Sequence, residues 1–317
     1  MTVKWGILST ALINRRIIPA IAQSLRGNLL GVASRDLPKA KDYVAEWQIP
    51  RAYGGYEQLL AEKDIHVIYI SLPNHLHTEW IIKSLEAGKH VLCEKPMCLS
   101  TEEFDSIHFA VERTGLSVME GFMYLHHPQT KFWKSIIDQG RIGEVCSIQS
   151  CFCFNFDRTK ENYRWNADQG GGALWDVGVY PISFFQYLYG AKPKDGFAFT
   201  YSENSIDLST TAMLDFGNNR AAQFFVSFRS AYTTDTVIHG GEGQLYISHP
   251  YNNTDICKAY IRRGTELEQL DVPRQYLYSG EVKNMHDIIL EGKSPAISLQ
   301  QSRDVLETVL LLVPPTP

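Results

Sequence analysis

Val91-Leu92-Cys93-Glu94-Lys95-Pro96 is the stretch whose reading decides the fold: three apolar residues run into a glutamate, a lysine and a proline. Val91 to Cys93 have the length and character of a short buried strand. Pro96 has no N–H for a ladder and restricts the residue before it to extended geometry, so Lys95 falls at the strand's carboxyl end, aimed away from the sheet. Open α/β sheets bind ligands at that edge. By itself a Glu-Lys-Pro triplet is most often a solvated lysine closing a strand. This one follows two strand–helix units with a phosphate-loop candidate at their head.

Upstream, Val3 to Leu8 is a compact apolar run, followed by Ser9-Thr10-Ala11 and a helical stretch that Pro19 is expected to kink or restart. A strand, a small-residue turn and a helix N-terminus make a cradle for an anion. The full G-x-G-x-x-G fingerprint is absent, with Gly6, Leu8, Ser9 and Ala11 standing where its glycines would be sought. Leu29 to Ala33 is the next strand and ends in Ser34-Arg35-Asp36. At that place in a dinucleotide fold an acid favours a free 2′-hydroxyl and an arginine accommodates a 2′-phosphate. Ser34 and Arg35 therefore favour NADP(H), while Asp36 keeps NAD(H) open and also reads as the cap of a helix over residues 38–47.

Ile65 to Leu72 is a near-continuous apolar run, as in a parallel strand covered on both faces. The turn after it, Pro73-Asn74-His75-Leu76-His77, lies at the same sheet edge and reads as a polar lining of the cofactor cleft. Its two histidines lack a third ligand at usable spacing, so no metal site is expected. After Pro96 come a capped helix over 101–114 and a strand over 117–120. Strand alternating with helix to this point is the pattern of a doubly wound parallel sheet of the Rossmann type, assigned to residues 1–121.

From Gly143 the texture changes to alternating runs, Val145 to Phe156, Leu208 to Phe216, Ala221 to Phe228 and Gln244 to Ile247, separated by turns such as Asp215 to Asn219. Residues 122–317 are therefore expected to form an α+β domain with a large open, mostly antiparallel sheet. Aromatic residues such as Phe152, Phe154, Phe224 and Phe228 imply a cover for the sheet's second face, which a homodimer or higher homo-oligomer would supply. Within this half, Gln169-Gly170-Gly171-Gly172-Ala173 leads into a helix over 174–189 that carries Asp176 and Tyr180 four residues apart. Read as structure, Tyr180 is a core tyrosine and Asp176 a first-turn charge; read as chemistry, a carboxylate and a phenol line a pocket.

The chain has 317 residues, 44% of them apolar and 21% charged, enough for two globular cores. A net charge of −5 gives no footprint for nucleic acid or an anionic membrane. No apolar run reaches the roughly 18 residues of a spanning helix, and the apolar run before Arg15-Arg16 reverses the order of a signal peptide. The six cysteines include no C-x-x-C. Buried free thiols in the cytoplasm are the expectation.

The motifs taken together resemble the glucose-fructose oxidoreductase, inositol dehydrogenase and rhizopine-catabolism family of NAD(P)-dependent oxidoreductases. The resemblance rests on Gly6 to Arg16, Ala33-Ser34-Arg35-Asp36, Pro73 to His77, Ala87 to Pro96, Phe122-Met123-Tyr124 with His127-Pro128-Gln129, Gly140 to Val145, and Gly170 to Pro181. Its nearest branch holds dihydrodiol and xylose dehydrogenases and nucleotide-sugar ketoreductases. The resemblance implies that Lys95 and Tyr180 flank the carbon that exchanges hydride with the nicotinamide, and that Asp176 orients substrate hydroxyls. It places cofactor contacts at Gly6, Ser9, Thr10, Ala11, Leu12, Ser34, Arg35, Leu72, Pro73, Asn74, His77, Glu94 and Lys95. Substrate contacts are placed at Tyr124, Tyr163, Trp165 and Asp176. Leu125 stands where the family often has an arginine, which argues against an anionic substrate, and the V-P-P-T-P end departs from the family's last helix and strand.

The implied function is NADP(H)-dependent hydride transfer to or from a carbinol or carbonyl carbon of a sugar, sugar derivative or cyclic polyol. A phenol's ordinary pKa of about 10 is too high for a base near neutrality, and a neighbouring ammonium favours the phenolate, so Lys95 is expected to assist Tyr180 as general acid/base. The rival is a catalytically silent NADP(H)-binding regulator of the same fold. The joint presence of Lys95, Asp176 and Tyr180 favours the enzyme.

Overall fold

The alternating apolar runs and capped helices of the first half produce, in a computed structural model that describes residues 2–159, 161–252 and 254–313, β1 (Val3–Leu8), α1 (Asn14–Gln23), β2 (Gly27–Ala33), α2 (Leu37–Trp47), β3 (Arg51–Tyr53), α3 (Tyr56–Leu60), β4 (Val67–Ile70), α4 (His77–Glu86), β5 (His90–Glu94), α5 (Thr101–Thr114) and β6 (Val118–Gly121). The strands pair in parallel in the order β3-β2-β1-β4-β5-β6. The chain direction across the sheet reverses on either side of β1, which is the switch point where such sheets bind ligands. Trp5, Ile7, Leu8 and all of β4 are buried, as a strand covered on both faces requires. Each such aliphatic side chain contributes about 1.5–3 kcal/mol of burial free energy.

Helix ends follow the local sequence. Asp36 caps α2 by accepting from the Lys39 amide, and Ser100 caps α5 by accepting from the Glu103 amide. α1 runs through Pro19 as one helix, where a kink or restart was expected. Its first residue, Asn14, is tied by side-chain hydrogen bonds to Ser9 and Ser71, which fixes the helix before the proline is reached.

The second half supplies α6 (Pro128–Asp138), β7 (Val145–Asn155), α7 (Val179–Tyr189), β8 (Asp195–Glu203), β9 (Ile206–Gly217), β10 (Arg220–Ser227), β11 (Arg229–Thr233), β12 (Thr236–Gly240), β13 (Gln244–Ile247), β14 (Ala259–Arg263) and β15 (Glu266–Leu270), followed by α8 (Ser279–Glu291) and α9 (Leu299–Leu312). Its nine-stranded sheet has the order β15-β14-β13-β12-β7-β10-β9-β8, with β11 also beside β7. The β7–β10 pairing is parallel and the others are antiparallel. Asn218 and Asn219 join β9 to β10 with positive φ at both positions, the backbone of a tight hairpin turn. α7 covers one face and buries nine of its eleven residues. The other face exposes Phe197, Phe199, Tyr201, Met213 and Phe225.

The described chain forms two compact units, residues 1–123 with 278–303, and residues 124–277 with 304–317. The first therefore includes α8, which a contiguous division at residue 121 assigns to the second half. Polar contacts explain why: Trp5 Nε1 donates to His286 Nε2 at 3.0 Å, and Arg26 pairs with Asp287 at 2.7 Å and Glu291 at 2.8 Å. The last four residues of V-P-P-T-P lie outside the described residues.

Candidate active site

In the first unit the turn after β1 is held by hydroxyls in place of glycines. Ser9 adopts φ +105°, a left-handed backbone that side chains rarely take. Its Oγ lies 2.9 Å from Ser71 Oγ and accepts from the Ala11 amide at 3.1 Å. Asn14, wholly buried, donates to Ser9 O at 3.0 Å and accepts from Ser71 Oγ at 2.6 Å. Gly6 is packed under Leu59, Ile65 and Ile68, while Thr10 and Ala11 are half-buried and Leu12 is 78% exposed. At the end of β2, Ser34 is buried and its Oγ accepts from the Asp36 amide. Arg35 is exposed, with its guanidinium beside the Tyr56 hydroxyl.

Beyond β4, Leu72 and Asn74 are buried and Pro73 is half-buried. His77 is 0% exposed, and both ring nitrogens meet backbone carbonyls, Nδ1 at 2.7 Å from Pro96 O and Nε2 at 2.8 Å from Leu72 O. It braces the wall of the sheet edge from within. Burial pushes its imidazole down to about 4, against the pull of those two carbonyls. Glu94 accepts a short hydrogen bond from the Tyr69 hydroxyl, whose pKa burial and then the Glu94 charge raise. Lys95 is largely buried at the start of a cis Lys95–Pro96 peptide. Next to it, the Met97 amide donates to Glu120 Oε1 at 2.9 Å. Cys93 and Cys98 lie beneath, with thiols that burial raises.

In the second unit, Gly172 has φ +110°, and a Cβ there would stand 1.7 Å from Asp207 Oδ1. Only glycine fits. The close approach lets Asp207 Oδ2 accept from the Leu174 amide at 2.6 Å at the head of the helix, although burial pushes the carboxyl up to about 7. The first turn, Leu174–Gly178, is π-helical before α7 begins, so the expected single helix opens with a wide turn. Asp176 sits in that turn and takes a bidentate pair from Arg164, Nε to Oδ2 at 2.6 Å and Nη2 to Oδ1 at 2.9 Å. Burial opposes the Arg164 charge, but the Asp176 carboxylate and the nearby Tyr163 and Tyr180 hydroxyls raise its pKa on balance.

Tyr180 is 7% exposed, and its ring is walled by Phe152, Tyr251 and Tyr124 at centroid distances of 5.1, 5.6 and 5.8 Å. Tyr124 is wholly buried and spends its hydroxyl on Tyr180 O and Ser183 Oγ, supporting α7. Tyr163 stacks under Arg164 at 4.8 Å, and Trp165 packs on Phe156 and Phe228 at 5.0 and 5.7 Å. The structure thus gathers Arg164, Asp176, Tyr180, Tyr163 and Trp165 in one unit, and the Ser9 turn, Ser34, Arg35, the Leu72–His77 segment, Glu94 and Lys95 in the other. Arg164, Asn14, Glu120 and Asp207 escaped the sequence reading. Arg164 alone carried a signal, standing between the two aromatic candidates Tyr163 and Trp165.

The oxidoreductase family with an NAD-binding Rossmann fold matches residues 3–122, and the C-terminal domain of the same glucose-fructose oxidoreductase, inositol dehydrogenase and rhizopine-catabolism family matches residues 131–246. The chain belongs to this family. An uncharacterised oxidoreductase of Rhizobium meliloti is 37% identical over 84% of this chain and 80% of its own. The NADP(+)-dependent D-xylose 1-dehydrogenase 2 of Haloferax volcanii is 30% identical over 96% of this chain and 94% of its own. KijD10, a 3-ketoreductase of Actinomadura kijaniata solved with NADP and TDP-benzene, superposes with a TM-score of 0.93 at 29% identity, covering 98% of this chain and 97% of that one. The protein is accordingly an oxidoreductase with a parallel dinucleotide-binding sheet and a second, mostly antiparallel sheet. Among the described residues no helix is long and apolar enough to cross a membrane, and no cluster of His, Cys, Asp or Glu could hold a metal.

Proposed function

We propose that the protein is an NADP(H)-dependent oxidoreductase that interconverts a carbinol and a carbonyl on a sugar, sugar derivative or cyclic diol, with Tyr180 as general acid/base assisted by Lys95. The observation that carries the reading is the setting of Tyr180, a nearly buried phenol beside the Arg164 guanidinium. Burial works against the phenolate and Asp176 offsets the Arg164 charge, so Lys95 is the cation left to favour it and let Tyr180 take a carbinol proton. The Arg164–Asp176 pair meets hydroxyls as a neutral clamp, in keeping with an uncharged reacting sugar. Tyr163 and Trp165 offer flat faces for a ring.

A dinucleotide fits the first unit on its own terms: the Ser9 turn at the switch point, the small residues Thr10 and Ala11 after it, and Ser34 with Arg35 at the end of β2. When bound, the nicotinamide supplies the hydride acceptor or donor. Ser34 and Arg35 would hold the 2′-phosphate; Leu72, Pro73, Asn74, Glu94 and Lys95 would line the cofactor's other half. KijD10 and the Haloferax xylose dehydrogenase carry NADP in their descriptions, and the KijD10 structures include lysine and tyrosine variants, the residue types on which this reading puts the chemistry. The working setting is the cytoplasm, and the working form a homodimer or higher homo-oligomer through the exposed face of the nine-stranded sheet.

Fluorescence titration with NADPH and NADH, followed by a screen of aldoses, cyclic polyols, keto-sugars and an arene dihydrodiol at the nicotinamide band, tests the reading. NADPH should bind more tightly, and Arg35→Asp should reduce or reverse that preference by exchanging a charged pair for repulsion. Turnover of a hydroxy or keto compound supports the enzyme. Tight binding with no turnover across the panel turns the reading toward a regulator, and no binding removes it.

A further inference from the structure

The peptide unit between Pro96 and Met97, directly after Lys95, is gripped at both ends by buried ionisable side chains from different elements. Its oxygen meets His77 Nδ1 at 2.7 Å and its N–H donates to Glu120 Oε1 at 2.9 Å. His77 opens α4, and its other nitrogen meets Leu72 O, so one ring ties the end of β4 to the end of β5. Glu120 lies on β6, paired in register with Cys93 of β5. The two grips therefore anchor the Lys95 turn to the strands on both sides of it. We propose that Glu120, opposite His77, is a positioning residue for Lys95 that holds the Pro96–Met97 peptide and sets a negative charge beneath the lysine.

Glu120 is built for such a part and for no other evident one. It is 3% exposed, with Oε1 on the Met97 amide and the Ser302 side chain as its other polar neighbour. A carboxyl so thinly satisfied is expensive to bury for packing alone, where an apolar residue would serve. The groups facing it are Lys95 and Glu94 from the end of β5, Cys93 within β5, Cys98 in the following loop and Ser302 of α9. Lys95 is the one cation among them, and its charge favours the carboxylate. Burial works against the carboxylate and pushes Glu120 up to about 7, so its charge under Lys95 forms within the ordinary working range of pH. His77 faces Lys95 and His75 as well as the two carbonyls.

This inference rests on Lys95 as a site residue but needs no substrate to test. Wild type, Glu120→Gln and Glu120→Leu are labelled with trace acetic anhydride at pH 8.5, and acetylation of the Lys95 peptide is compared by mass spectrometry with that of exposed Lys39 in the same sample. Glu120→Gln keeps an acceptor for the Met97 amide and loses only the charge. Without the carboxylate that faces it, the Lys95 side chain is held less firmly and meets the reagent more readily, so the Lys95-to-Lys39 labelling ratio should rise about threefold to tenfold. In Glu120→Leu it should rise further, because the turn loses its acceptor too. Melting temperature and NADPH affinity, read on the same samples, separate this from unfolding: Glu120→Gln should melt within a few degrees of wild type and bind NADPH within about twofold. An unchanged labelling ratio in folded Glu120→Gln would overturn the proposal. Because labelling is independent of turnover, a protein with no activity on any sugar can still support it, so the two readings fail separately.

Discussion

Arg164 and Asp176 set the terms at the scale of single residues. Asp176 is nearly buried and Arg164 mostly so, and their bidentate geometry satisfies both carboxylate oxygens. Removing one member of such a pair leaves a desolvated charge behind, whereas replacing both by apolar residues need not cost stability. Arg164→Met should therefore lower the urea-unfolding free energy by about 3 kcal/mol, and Arg164→Met with Asp176→Leu should recover most of it. Additive losses in the double variant would mean that the pair is not what holds this turn. The pair also shows where sequence reading stops. Lys95, Asp176 and Tyr180 can be singled out as candidates because motifs of fixed spacing carry them. Arg164 lies twelve residues from its partner across a glycine turn, and spacing says nothing about which charge folds back onto which.

At the scale of elements, α8 shows how a polar helix is committed to the first unit. Trp5, Ser24 and Arg26 engage His286 and Asp287, while Glu281 in its first turn is wholly buried with neither oxygen hydrogen-bonded. Burial, reinforced by the Glu94 charge, raises the Glu281 pKa well above the ordinary carboxylate value. A carboxyl whose pKa is raised on folding contributes stability that is complete below its unfolded value, about 4.5, and is lost as pH rises through its folded one. Relative to Glu281→Gln, wild type should lose up to about 1.4 kcal/mol of stability per pH unit above about 4.5. Parallel unfolding curves at pH 5, 6 and 7 check this, and a constant difference between the two proteins would refute it. Helix α2 was legible from Asp36 and α5 from Thr101 with Glu102 and Glu103 in its first turn, local signals for local structure. The membership of α8 was not, because its partners are more than 250 residues away. The π-helical turn at Leu174 was missed for a related reason: it depends on Asp207 reaching across to cap the helix past Gly172.

For the whole molecule, the order β3-β2-β1-β4-β5-β6 was readable as a fold class from strand–helix alternation alone. The second sheet was readable as antiparallel, but the parallel β7–β10 pairing inside it was not, since alternation carries no direction. Its exposed face is organised by register: Phe199 pairs with Thr211, Thr211 with Phe225 and Phe225 with Cys151, while Phe197 pairs with Met213 and Met213 with Gln223. Phe199, 74% exposed, stands in the middle of β8. If this face joins copies of the chain, Phe199→Lys should place a charge in an apolar contact and shift the species seen by light scattering coupled to size exclusion toward monomer. An unchanged mass would move the oligomer contact elsewhere.

The central claim, that Tyr180 exchanges the proton while hydride moves to or from NADP(H), is met most directly by comparing wild type with Tyr180→Phe on the first compound that turns over. The substitution removes one hydroxyl from a ring whose packing against Phe152 and Tyr251 remains. The account predicts that kcat falls by about 100-fold or more, with NADPH affinity unchanged within about twofold. A kcat within about threefold of wild type would contradict it and move the acid/base role away from Tyr180.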